Sequence, residues 1–240
     1  MIELKTAVFH PSISPISIRI LLPYITVALT GMITFFYHSD LKKRYGDAKG
    51  TWIYFAMFFI LLAAVPMLII LLVENDPLRV LVDLGLTAGR YGIGLLLVLV
   101  FLPIALLIGH IVSRTEEMIA WYPFSKQVCE RSGTFVLYEL GYLLLYYTAW
   151  EFLYRGLLFF PLLEGFGFVP AMAITTTLST LHHIGHPKSE VWGAVLGGLI
   201  FSSIALVTRS ILYPILIHAT IGIVNDTFIY LKSYRKRPGG

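Results

Sequence analysis

The chain has 240 residues, 57% of them hydrophobic and only 13% charged, against roughly 45–50% and about 25% in an average soluble domain. Together with a mean hydropathy of +0.79, this excludes a soluble globular enzyme, a disordered chain and a nucleic-acid-binding module. The net charge of +4 reads as anchoring of loops by Lys and Arg at a membrane rather than as a nucleic-acid surface.

A crossing helix takes about 20 apolar residues over a hydrocarbon core of roughly 30 Å. In chain order, apolar runs occupy 17–38, 51–73, 90–112, 134–161, 168–184, 191–207 and 211–230. They predict an all-α polytopic membrane helix bundle of about seven transmembrane helices, with no room for a separate soluble domain. The first run is too long for a signal peptide and no small-residue cleavage site closes it, so a retained helix is expected. Longer polar breaks at 39–50, 74–89 and 113–133 space the first three helices, whereas the last four are joined tightly. The organisation expected is an N-terminal scaffold over 1–133, a four-helix half over 134–230 that carries the chemistry, and a basic cytoplasmic tail over 231–240. The break at 113–133 mixes charge with Trp121, Tyr122 and Phe124, which suits a segment lying in the headgroup interface and equally an ordinary solvated loop. The single cysteine, Cys129, excludes an internal disulfide and has no partner motif, so it reads as incidental.

With the 39–50 break inside, 12 of the 18 Lys and Arg residues fall on inside segments. Five fall outside (Lys5, Arg19, Arg79, Arg90 and Arg209), and Arg155 lies within a helix. This bias predicts an outside N-terminus and a cytoplasmic C-terminus. The small size points to a bacterial inner (plasma) membrane.

Ionisable side chains are costly in a bilayer unless they pair or face a cavity, so the informative residues are those inside the apolar runs. The fourth run carries Glu139, Glu151 and Arg155; the fifth ends in His182, His183 and His186; the seventh carries His218, Asn225 and Asp226. Glu151 and Arg155, four apart, share a helix face and can pair. Glu139 lies about 120° round the helix from Glu151, which favours a structural or interfacial role. Asn225, two turns after His218 on the same face, is placed to orient a ligand or a water. Asp226 is expected at a solvated helix end. Counted from their hairpin turns at about 1.5 Å per residue, Glu151 and His183 lie at similar depth. His218 comes out shallower unless the last hairpin sits deeper or tilts.

A glutamate with two histidines can hydrolyse an amide in two ways. In one, His183 and His218 bind a divalent metal such as Zn2+, which acidifies a water, with the glutamate as ligand or base. In the other, without metal, the glutamate is the general base on water, and histidines with an amide stabilise the oxyanion. In both, Arg155 holds Glu151 ionised and oriented. No His-Glu-x-x-His, Gly-x-Ser-Gly or Gly-x-Gly-Asp motif is present, which argues against zincin, serine and aspartyl mechanisms.

Three stretches together carry a family resemblance: Trp150-Glu151-Phe152-Leu153-Tyr154-Arg155-Gly156; His183-Ile184-Gly185-His186-Pro187-Lys188; and Thr208-Arg209-Ser210-Ile211-Leu212-Tyr213-Pro214 leading to His218. Over about 134–230 the chain resembles the CPBP family of CAAX-prenyl-protease and bacteriocin-processing (Abi) intramembrane proteases, whose motifs are Glu-Glu-x-x-x-Arg, Phe-x-x-x-His and His-x-x-x-Asn/Asp. Three departures stand out: Trp150 replaces the first glutamate, Ser179 the phenylalanine four residues before His183, and Gly222 the Asn/Asp after His218. The resemblance implies a metalloendopeptidase-like intramembrane hydrolase acting on prenylated or bacteriocin-like peptides. It would use Glu151, Arg155, His183 and His218, supported by Asn225, His182 and His186, with Zn2+ as a conceivable cofactor. The partners implied are a peptide or protein substrate and membrane lipid, with no nucleic acid. Two other readings remain: a catalytically degenerate scaffold of the same fold, favoured by Trp150, and an ion-coupled transporter with Glu151 and His183 lining a path. Against the transporter stand the lack of an internal repeat and a polar cluster confined to one half of the chain.

Overall fold

The computed structural model describes residues 13–234; Lys5 and the basic residues Arg235, Lys236 and Arg237 lie outside them. The described chain is an all-α membrane helix bundle: α1 Pro15–Thr34, α2 His38–Tyr45, α3 Asp47–Val73, α4 Pro77–Asp83, α5 Tyr91–Val112, α6 Glu116–Trp121, α7 over 132–166, α8 Phe168–His182, α9 Lys188–Thr208 and α10 Leu212–Ser233. A 3-10 turn, Gln127–Glu130, precedes α7. Among the described residues α1, α3, α5, α9 and α10 are long and apolar enough to cross a membrane. The other two apolar runs differ for physical reasons. The 15-residue α8 is shorter than the roughly 20 residues a crossing takes, and α7 holds the ionisable residues of the interior. Leucines on the outside of α5, such as Leu96 at 60% and Leu99 at 67% exposure, form the apolar belt that lipid covers.

Helix α7 is the axis of the structure. It widens into π turns at Tyr142–Tyr147 and Phe152–Leu158. Residues four apart on an α-helix drift by about 40° per step, and a π turn, one residue wider, turns them back. The ladder Tyr138, Tyr142, Tyr146, Trp150 and Tyr154 therefore keeps to the interior, and all five are buried. Phe55 of α3 stacks on Tyr142 at 5.2 Å and Phe58 on Trp150 at 5.8 Å.

The two ends of the bundle are distinct. At one end Lys42 pairs with Asp47 and donates to the Phe124 carbonyl at 2.6 Å, and Ser132 bonds Tyr230 at 2.9 Å. At the other, Arg90 N–H donates to the Thr208 carbonyl at 2.8 Å and Ile211 N–H to the Gly85 carbonyl at 3.0 Å. The 113–133 segment packs against the bundle. It folds back over the Lys-rich end and buries Met118, Tyr122, Phe124, Val128 and Cys129, because its aromatic residues find the α3–α7 interior. Burial, reinforced by the nearby Asp226, pushes the Cys129 thiol up to about 12. Iodoacetamide at pH 8 is therefore expected to leave Cys129 unmodified in the folded protein and to alkylate it after denaturation. Mass spectrometry checks this, and labelling at the rate of a free thiol would mean that the cap opens.

Candidate active site

Glu151 and Arg155 face inward from consecutive turns of α7, with Arg155 Nε 3.3 Å from Glu151 Oε2 and exposures of 2% and 0%. The Arg155 guanidinium also lies over the rings of Phe201 and Tyr154 at 5.7 and 5.9 Å. His218 of α10 completes the cluster: its Nδ1–H donates to Glu151 Oε1 at 2.6 Å. That bond leaves Nε2 as the free ring nitrogen.

The depth mismatch between His218 and Glu151 disappears in the structure. The turn between α9 and α10 does not sit level with the α7–α8 turn at Gly167. Its backbone bonds to the Gly85–Arg90 stretch, and Gly156, lacking a side chain, lets the Leu84 carbonyl and Ile211 pack directly on α7. Gly156 is roughly 16 Å along the chain axis from Gly167 at 1.5 Å per residue, so the last hairpin enters deeper by about that distance and His218 meets Glu151.

His183 caps the C-terminal end of α8. Its Nδ1–H donates to the Ser179 carbonyl at 2.8 Å, an acceptor supplied by the residue that departs from the second family motif. The chain then reverses through Gly185, φ 98°, and restarts at Pro187, which places Glu190 in the first turn of α9. A carboxylate is favoured there by the helix dipole. Glu190 Oε1 accepts from Tyr122 Oη at 2.7 Å and from His186 Nδ1 at 2.9 Å, and it lies 3.7 Å from His183 Nε2. Burial, with the Glu190 carboxylate next in effect, raises the Tyr122 phenol well above its usual value, so it stays a donor to Glu190.

These groups surround a cavity of about 280 Å³ between α5, α7, α9 and α10. Tyr122, Arg155, His183, Glu190, His218 and Asn225 supply its polar lining; Glu151 does not reach it. Ile104, Ile108 and Leu196 line the cavity yet are 43%, 40% and 62% exposed. The cavity therefore opens sideways between α5 and α9, toward lipid. Toward the other end the two helices close up, with Leu97, Val98 and Phe101 clustered with Phe201 and Ile204 and Arg90 N–H on the Thr208 carbonyl.

The remaining residues expected at the site are dispersed. His182 Nδ1 bonds Tyr154 Oη at 2.9 Å and its ring packs on Phe58 and Trp150, away from the cavity. His186 bonds Glu190 and packs its ring on Trp121. Asn225 lines the cavity and donates from Nδ2 to Asp226 Oδ1 at 3.0 Å. Asp226 is not at a solvated helix end: it is 0% exposed and accepts from Tyr138 Oη at 3.0 Å, because α10 continues to Ser233 and the folded-in cap covers that end. Glu139 is buried, with neither carboxylate oxygen hydrogen-bonded. The sequence reading missed Glu190 and Tyr122. The spacing of His186 and Glu190, four apart where an apolar run restarts after a proline, is the signal that points to the first of them.

No group of three or more His, Cys, Asp and Glu side chains among the described residues gathers to hold a metal ion. The donor set among the described residues therefore does not fit the three protein ligands of a catalytic zinc.

Residues 132–224 match the model of a family described as type II CAAX prenyl endopeptidase Rce1-like. The match begins at the first residue of α7, ends just after Gly222, and encloses the three stretches that resemble the CPBP motifs. No curated protein and no solved structure matches the chain. Residues 132–224 are thus similar to the Rce1-like family, within a chain whose long apolar helices mark an integral membrane protein.

Proposed function

We propose that the protein is an intramembrane endopeptidase that hydrolyses a peptide bond in a membrane-associated, prenylated or bacteriocin-like peptide by a carboxylate-activated water. The observation that carries this reading is the pair of histidines on one laterally open cavity. Each has its Nδ1–H fixed by an acceptor, His183 on the Ser179 carbonyl and His218 on Glu151, and so turns Nε2 to the reaction space. A peptide held among Ile104, Ile108 and Leu196 would present its carbonyl to that polar wall. The Glu151 carboxylate behind His218 stabilises an imidazolium, whose Nε2–H can donate to the developing oxyanion. Arg155 keeps Glu151 charged and in place. Glu151 thereby works through His218, while Trp150, 2% exposed, fills the position of the first motif glutamate. Such a mechanism suits a bacterial inner membrane with the Lys-rich, cap-covered end toward the cytoplasm.

The test is cleavage of quenched fluorescent peptides, one with a farnesylated Cys-a-a-X end and one unprenylated and apolar, by purified protein in liposomes. His218→Ala is expected to lower kcat by about 10²–10⁴-fold, and EDTA to leave the wild-type rate unchanged. A wild type that cleaves neither peptide favours the degenerate scaffold, which the Trp150 substitution also suits. Loss of activity in EDTA, restored by Zn2+, would instead establish the metal mechanism.

A further inference from the structure

Resting on the endopeptidase reading, we infer that Glu190 is the general base that activates the hydrolytic water, with His183 as its co-acceptor and Tyr122 and His186 as positioning residues. Glu151, the carboxylate of the first motif, is 0% exposed, has no face on the cavity and is occupied by Arg155 and His218. Glu190 lines the cavity and keeps 19% of its side chain accessible.

The two oxygens of Glu190 are used unequally. Oε1 takes both the Tyr122 and the His186 hydrogen bonds, while Oε2 is buried and accepts none. Buried polar atoms are nearly always paired, so the carboxylate keeps unused acceptor capacity on Oε2. His183 gives the second half of the argument. Its Nδ1–H is committed to a carbonyl, which can only accept, so in the neutral ring Nε2 is an acceptor. Nε2 is then an acceptor 3.7 Å from Oε1 of the Glu190 carboxylate, itself an acceptor. They cannot bond to each other, and at that distance they are beyond hydrogen-bond reach in any case. A single water, with two O–H donors, satisfies both at once and turns its lone pair to the cavity.

The step balances without another reagent. The Glu190 carboxylate takes one water proton as the water oxygen forms a bond to the peptide carbonyl carbon. The carbonyl π pair moves to oxygen, where His218 Nε2–H receives it. Collapse of the tetrahedral intermediate re-forms the carbonyl and breaks the C–N bond, and the proton held by Glu190 passes to the departing nitrogen. One water is consumed, giving a carboxylic acid and an amine. Trp150 fits this arrangement. It stands where the family motif has a glutamate, and its ring lies 4.6 Å from that of His183, so it walls the water site while the carboxylate arrives from the start of α9.

The full-length protein in liposomes, with the two fluorescent peptides above, tests this directly. Glu190→Gln keeps acceptors for Tyr122 and His186, and is expected to hold the wild-type melting temperature and KM while kcat falls by about 10²–10⁴-fold. Glu190→Ala is expected to regain part of its rate in sodium formate, which supplies a carboxylate in the vacated space. Glu151→Ala is not rescued, since its carboxylate does not reach the cavity. A Glu190→Gln enzyme with wild-type kcat overturns the assignment and leaves the endopeptidase reading standing. Formate rescue of Glu151→Ala but not of Glu190→Ala returns the base to Glu151. A wild type that cleaves neither peptide overturns both.

Discussion

Arg155→Met is expected to lower the stability of the folded bundle by about 3–5 kcal/mol, the loss seen when one partner of a buried ion pair is removed. The magnitude follows from the surroundings. Glu151 is 0% exposed and Arg155 2%, so water cannot compensate the carboxylate once the guanidinium is gone. His218 alone remains against it, on Oε1. The double variant Glu151→Gln/Arg155→Met is expected to recover most of the loss, because neutral side chains of similar volume in place of a buried ion pair are often neutral for stability. The two sites touch, so the single effects will not add. Unfolding in mixed detergent–SDS micelles reads both. The double variant separates folding from chemistry: Gln at 151 can still accept from His218 Nδ1 but no longer stabilises its imidazolium, so cleavage stays low in a folded protein. Unchanged unfolding of the single variant would mean that Glu151 is neutral in the native state.

What could be read from the sequence, and what could not, divides along a physical line. Local periodicity revealed each long helix, and the i, i+4 rule revealed the Glu151–Arg155 pair, since both depend only on neighbours in the chain. The contact between His218 and Glu151 depends on how deep a hairpin enters, which is set by Gly85, Gly156 and Ile211 meeting across three elements. No run of apolar residues encodes that. Asp226 was misplaced for a related reason: the cap that covers it comes from a polar break far away in the chain. Glu190 is not legible from the apolar runs themselves. It lies at the edge of one, and only the tight reversal after His183 carries it into the interior. Residues at the first turn of a helix that follows a functional histidine therefore count as candidates, even where hydropathy marks them as loop.

The third departure from the family pattern yields the remaining large effect. Gly222→Asn, which supplies the residue type that motif has after His218, is expected to destabilise this chain rather than repair it. A Cβ at 222 would overlap the Tyr147 hydroxyl and crowd its ring carbon. Tyr147 is 4% exposed, packed on Tyr142 at 4.4 Å and edge-on to His218 at 4.7 Å, so it cannot yield without moving the His218 ring. Overpacking of this kind costs about 1–3 kcal/mol, at times more, equivalent to roughly 2–4 °C of melting temperature per kcal/mol in a chain of this size. Removing the hydroxyl makes most of the room: Tyr147→Phe/Gly222→Asn is expected to melt above the single Gly222→Asn variant, although the remaining crowding by the ring carbon keeps it below wild type. Peptide cleavage should follow the same order, because His218 returns to Glu151 only when Tyr147 no longer presses on it. If Gly222→Asn alone melts with the wild type, Tyr147 has another place to go, and glycine at 222 is not the consequence of tyrosine at 147.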